Sequence, residues 1–219
     1  MAQVLILEGN EGYVLSEILK RSKAKLPLGY PTKEEYIKEF LESVNGIKNV
    51  RKTLIRQLQE PKVTNIGIIV DANSAGAQAR FRSIKDVLER QIPEVANWRF
   101  TQEAPSGWAL DALPNLRIGL WVMPNNRDNG YFEHFLLELI DPNDESLRLA
   151  EKLLQEAVDS GSTRFPALRR QKALLAIFLA LQEEPGMQPT TAVKKGLIRH
   201  DSPLARHFVS WYENTFRFD

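Results

Sequence analysis

Ile66-Gly67-Ile68-Ile69-Val70-Asp71-Ala72-Asn73-Ser74 decides how this chain is read. Its first half is apolar and mostly β-branched, and it stops abruptly at a carboxylate, an amide and a hydroxyl. Continuous rather than alternating hydrophobicity suits a strand covered on both faces, as in a parallel sheet sandwiched by helices. Two other runs follow the same pattern. Val4 to Leu7 stops at Glu8-Gly9-Asn10-Glu11-Gly12, and Ile118 to Met123 stops at Pro124-Asn125-Asn126-Arg127-Asp128-Asn129-Gly130, with Glu133 just beyond. Between these strands the spacing predicts three helices, on Tyr13, Ile18 and Leu19, on Val50, Leu54, Ile55 and Leu58, and on Ile84, Val87, Leu88 and Ile92. Tyr36 to Val44 reads as a short strand ahead of the Asn45-Gly46 turn.

From Tyr131 the pattern becomes helical throughout, over Tyr131 to Ile140, Leu147 to Val158, Ala167 to Gln182 and Leu204 to Phe216. Pro142, Gly161, Pro166, Pro185-Gly186 and Pro189 mark the breaks. The expected fold class is therefore α/β, a mainly parallel sheet flanked by helices with an all-helical C-terminal half. No repeat or long linker divides it, so stretches 1–141 and 142–219 are expected to pack as one compact unit.

Composition narrows the chemistry. The 219 residues are 43% hydrophobic, enough to fold around a sizeable core without covalent staples. Cysteine is absent, which excludes disulfides, thiolate metal sites and a cysteine nucleophile, and fits a reducing, cytoplasmic setting. His134, His200 and His207 are too scattered for a zinc motif. Twenty-nine basic against 28 acidic side chains leave a net charge of +1, so any affinity for nucleic acid must come from local patches. No membrane partner is expected, because the longest apolar run, Ala173 to Leu181, falls far short of the roughly 20 residues a crossing needs. The first residues lack a basic leader region, so export is not expected. Trp98, Trp108, Trp121 and Trp211 read as core or interface anchors.

In an open α/β sheet, ligands gather outside the carboxyl ends of parallel strands. Here those ends are rich in acids and amides. If the three strands are neighbours, Glu8, Asp71 and Glu133 converge, and oxygen donors of that kind suit Mg²⁺ or Mn²⁺. Each also has a plainer role available, since an acid after a strand serves as a helix cap or loop residue, and Glu133 in a first helical turn favours the helix dipole. Gly9 and Gly12 resemble a phosphate-cradling loop, but Glu8 and Glu11 would repel phosphate. Arg80 and Arg82, at the start of the third helix, are placed to reach an anion near Asp71. Lys172, with Arg169, Arg170, Lys194, Lys195, Arg199 and His200, forms either an anion-binding face or a solvated helix surface. Ser74 and Ser106 have no histidine and acid nearby in sequence.

The order of these motifs resembles the toprim-like domains shared by type IA topoisomerases, bacterial primases and some nucleases. Glu8-Gly9 matches the Glu-Gly after the first strand of those domains. Asp71-Ala72-Asn73 matches their acid-x-acid with the last acid amidated. Pro124-Asn125-Asn126…Gly130…Glu133 matches the Pro-Asp-Asn…Gly…Glu segment of a toprim-like family with a helical C-terminal half, again with the acid amidated. The likeness extends through Lys172-Ala173 and Pro185-Gly186 to Trp211 and Phe216.

The resemblance implies a Rossmann-like sheet, with Glu8 as general acid or base and Asp71, Asn73, Asn125 and Glu133 around a Mg²⁺ or Mn²⁺ ion. Arg80, Arg82 and Lys172 would hold an anion. The implied activity is hydrolytic nuclease or nucleotidyl-transfer chemistry on nucleic acid or a nucleotide. Asn73 and Asn125 each remove a negative charge from the implied ligand set, which weakens cation binding. They also favour an alternative, a catalytically degenerate module that keeps the fold and binds a protein partner.

Overall fold

A computed structural model of the chain describes residues 2–25, 40–99 and 106–217. Five strands form one sheet: β1 (Ala2–Leu7), β2 (Leu41–Ser43), β3 (Val63–Asp71), β4 (Trp108–Leu113) and β5 (Leu116–Met123). Their order is β2-β1-β3-β5-β4, with β4 alone antiparallel, hairpinned onto β5. The three runs of continuous hydrophobicity are the three central strands. Register sets Ile6 beside Ile68 and Ile68 beside Leu120.

Strand side chains alternate between faces, and here both faces are buried. Leu5, Leu7, Ile69, Trp121 and Met123 point into one core. Val4, Ile6, Ile68, Val70, Leu120 and Val122 point into the other. Helices α2 (Ile47–Leu58) and α3 (Ala77–Glu89) cover the second face through Val50, Leu54, Phe81, Ile84 and Leu88. The first face is covered by α1 (Gly12–Arg21) and by the C-terminal helices, α4 (Phe132–Glu138), α5 (Glu145–Asp159), α6 (Arg170–Ala180), α7 (Pro189–Lys195) and α8 (Pro203–Phe216). A single apolar cluster runs from Leu5 through Ile18, Phe135 and Leu154 to Phe216, so the 1–141 and 142–219 stretches share it.

The α/β class and the predominantly parallel sheet agree with the expectation from sequence. Two described elements were not foreseen. The β4 strand reads Trp-Ala-Leu-Asp-Ala-Leu, a mixed pattern of an edge strand that pairs on one side only. The α7 helix is a short turn-rich segment started by Pro189 and ended by Gly196 in the left-handed region. The short strand expected within Tyr36 to Val44 is described only from residue 40 onward, as β2, and Tyr36 to Glu39 lie outside the described residues. All four tryptophans are buried. No helix among the described residues is long and apolar enough to cross a membrane.

Candidate functional site

Parallel strands deliver their carboxyl ends to one edge of the sheet, and the acids arrive there from three separate segments. Glu8 follows β1 directly. Its N–H donates to the Ile69 carbonyl at 3.0 Å, which extends the ladder by one residue, and its Oε2 accepts from the Asp71 N–H at 3.1 Å. Asp71 closes β3, and its Oδ1 accepts from the Phe132 N–H at 3.1 Å, at the start of α4. That places Glu133, the next residue, at the same end of the sheet. Lys172 on α6 approaches Glu133, with Nζ 3.8 Å from Oε1.

A fourth carboxylate joins them. Glu11, at the N-terminus of α1, folds back over Gly9 so closely that a Cβ added there would lie 2.1 Å from Glu11 Oε1. By sequence alone Glu11 figures only as a charge that repels phosphate. The available signal was its three-residue spacing from Glu8 across a tight glycine loop.

Crowding of these groups shows in their protonation. Burial pushes the Asp71 carboxyl up to about 8, and the neighbouring Glu11, Glu8 and Glu133 carboxylates push the same way, against the Phe132 N–H. Burial also raises Glu8, opposed by the Asp71 N–H, the Arg80 guanidinium and the Ile47 N–H. Glu11 is raised by burial and by Glu133 and Glu8, despite a hydrogen bond to its own backbone N–H. The structure thus brings together Glu8, Asp71 and Glu133 as the sequence proposed, with Glu11 added and Arg80 beside Glu8.

The other expected ligands stand in turns. Asn73 leaves β3 with φ +52 and clips the β3 exit to Gly130, through its N–H to the Gly130 carbonyl at 2.7 Å and the reciprocal bond at 3.1 Å. The clip holds the α4 N-terminus over Asp71. Asn125 is buried, and its side-chain amide is committed. Its Oδ1 accepts from the N–H groups of Arg127 (3.2 Å) and Asp128 (3.0 Å). Its Nδ2 donates to Asp128 Oδ2 (2.7 Å) and to both carboxylate oxygens of Glu138 (3.2 and 3.1 Å). The Asn125 oxygen, expected as a metal ligand, here caps two backbone donors and orders the turn after β5. Arg82 departs from Arg80 and lines a cleft with Arg127.

Oxygen-only donors under mutual repulsion are chemically suited to a hard divalent cation. Among the described residues, however, no group of three or more histidine or acidic side chains is arranged to hold a metal ion. Glu8 and Asp71 are instead tied to backbone N–H groups. Elsewhere, Ser106 Oγ lies 3.2 Å from His207 Nδ1, but no acid orients that histidine among the described residues.

Comparison with known proteins adds a family and little else. Neither a curated protein nor a solved structure matches the chain. One family model, described as "Protein of unknown function (DUF3226)", matches residues 2–217, nearly the whole length, and the chain belongs to that family.

Proposed function

We propose that the chain is toprim-like and that the carboxyl end of its sheet binds Mg²⁺ or Mn²⁺ to act on a phosphate-bearing substrate, nucleic acid or nucleotide. The observation that carries this reading is the Asp71 carboxyl, held at about 8 by burial and three neighbouring acids. A divalent cation relieves such repulsion directly. Asp71 and Glu133, at the same end of the sheet, are the residues that would hold it. Two suffice, because Mg²⁺ keeps several waters and takes one or two carboxylates plus substrate phosphates. Bound there, the ion supplies charge neutralisation at a phosphoryl oxygen.

The chain's own groups do the rest. Glu8, raised by burial, gives up its proton less readily than an exposed glutamate would, which suits general acid-base work. Arg80 offsets part of the local negative charge, and Lys172 pairs with Glu133 at the rim. Hydrolytic nuclease or nucleotidyl-transfer chemistry is the activity proposed.

Thermal melting in metal-free buffer and in millimolar Mn²⁺ tests the binding step. The cation should raise the melting temperature, each kcal/mol of linkage being worth about 2–4 °C in a chain this size. Asp71→Asn should abolish the rise. Single-stranded and duplex DNA and RNA, incubated with Mn²⁺, then test the activity, with Glu8→Gln as the control. Equal product from both proteins overturns the catalytic assignment. A second reading, a protein-binding module without catalysis, is favoured by the scaffold duties of Asn73 and Asn125. Absence of any Mn²⁺ shift would favour it over the first.

A further inference from the structure

Beside the acid cluster lies an open cleft of ≈ 610 Å³. One wall is the backbone of 75–79, where β3 hands over to α3, and the other is formed by Arg127 and Asp128, with Arg82 also lining it. Both arginines are exposed, and neither guanidinium has a hydrogen bond or ion pair among the described residues. Arg127 is within electrostatic reach of Glu138, yet the two guanidinium groups on one cleft keep hydrogen-bond donors free for an anion. The opposing charge in the lining, Asp128, is partly occupied by Asn125 Nδ2 at 2.7 Å.

Apart from Gln78 the wall carries small side chains: Ala75, Gly76, Ala77 and Ala79 present at most a methyl group, and the first turn of α3 has neither a capping side chain nor an acid. Its N–H groups have no intrahelical acceptor. Nearby, Nε of Arg80 is shut off from solvent without a partner among the described residues. The cleft is also continuous in sequence with the acid cluster. The 71–79 segment carries Asp71 at one end and the wall at the other, and the 125–133 segment carries Arg127 at one end and Glu133 at the other.

We infer that this cleft is a phosphate subsite, holding a terminal phosphate of the substrate between Arg82 and Arg127; the substrate's identity rests on the function proposed above, whereas the binding needs no metal. A tetrahedral dianion can engage two guanidinium forks and backbone N–H groups at once, which a planar carboxylate does less completely. The cleft exceeds one phosphate in volume.

Calorimetry on the full chain in EDTA tests this, with inorganic phosphate, a nucleoside monophosphate and an oligonucleotide with or without a 5′-phosphate. The phosphorylated probes should bind, and the oligonucleotide lacking the phosphate should bind more weakly. Arg82→Ala or Arg127→Ala alone should weaken phosphate binding by about 10- to 100-fold, the worth of one lost charge-assisted hydrogen bond, and the double variant by more. Both side chains are exposed, so the double variant should melt like the parent chain, and Arg90→Ala should leave binding unchanged. Tight binding of inorganic phosphate alone would mark the source as free phosphate, and tighter binding of the phosphorylated oligonucleotide would mark it as nucleic acid. Equal binding of the two oligonucleotides, or undiminished binding by the double variant, overturns the subsite. Either failure leaves the Mn²⁺ melting shift untouched, and loss of that shift with phosphate binding intact overturns only the metal reading.

Discussion

Asp71 is where burial and charge act against each other most strongly. Its folded-state carboxyl titrates near 8, well above the unfolded value near 3.8. Between those values the folded chain keeps a proton that the unfolded chain has lost, so stability falls as pH rises across that window and levels off above it. Asp71→Asn removes this penalty while leaving an amide oxygen to accept from Phe132. In metal-free buffer it should stabilise the chain by about 1–3 kcal/mol at pH 8, after discounting for solvent screening, and by almost nothing near pH 4. Urea unfolding at the two pH values measures this, and an equal gain at both would contradict the assignment. At Asn125 the opposite holds. Asn125→Asp puts a third carboxylate against Asp128 and Glu138 and deletes the donor that bridges them. It should cost about 1–3 kcal/mol in the same assay, where a true metal ligand would instead gain Mn²⁺ affinity.

Among the elements, α8 depends most on small residues in its partner strands. Gly67 of β3 pairs in register with Gly119 of β5, forming a flat place on the sheet where Thr215 and Phe216 sit. A Cβ at Gly119 would lie 2.0 Å from Thr215 Oγ1, and one at Gly67 would lie 2.7 Å from Phe216 Cζ. Thr215 and Phe216 are fully buried and cannot swing away. Gly119→Ala should therefore destabilise by about 1–3 kcal/mol, and adding Thr215→Ala should recover part of the loss. A double-mutant cycle by thermal melting reads the coupling, and strict additivity would refute the contact. The glycines are plain in the sequence, but nothing around them announces a helix from the far end of the chain. The β1, β3 and β5 strands were legible because strands buried on both faces are continuously apolar. The edge strand β4 was not, because one-sided pairing leaves its pattern mixed.

For the molecule as a whole, the decisive feature is that the C-terminal helices cover one face of the sheet. A fragment ending at residue 141 would expose Leu5, Leu7, Ile69 and Trp121, now packed in the core that contains Leu154, Phe178, Trp211 and Phe216. Each such side chain loses roughly 1.5–3 kcal/mol of burial, so the fragment should show no cooperative melt by circular dichroism. A sharp transition would instead make 1–141 an independent domain.

Local periodicity and strand-end chemistry determined the α/β class, the parallel central strands and the presence of acids beyond them. Those features depend on neighbours along the chain, which a sequence displays directly. Only the tertiary structure decided that Glu11 joins the acids, that Asn73 and Asn125 stand in turns, and that Arg82 and Arg127 line one cleft. Such relations depend on which segments the sheet order and helix packing bring within a few ångströms, and residues separated by dozens of positions carry no mark of it.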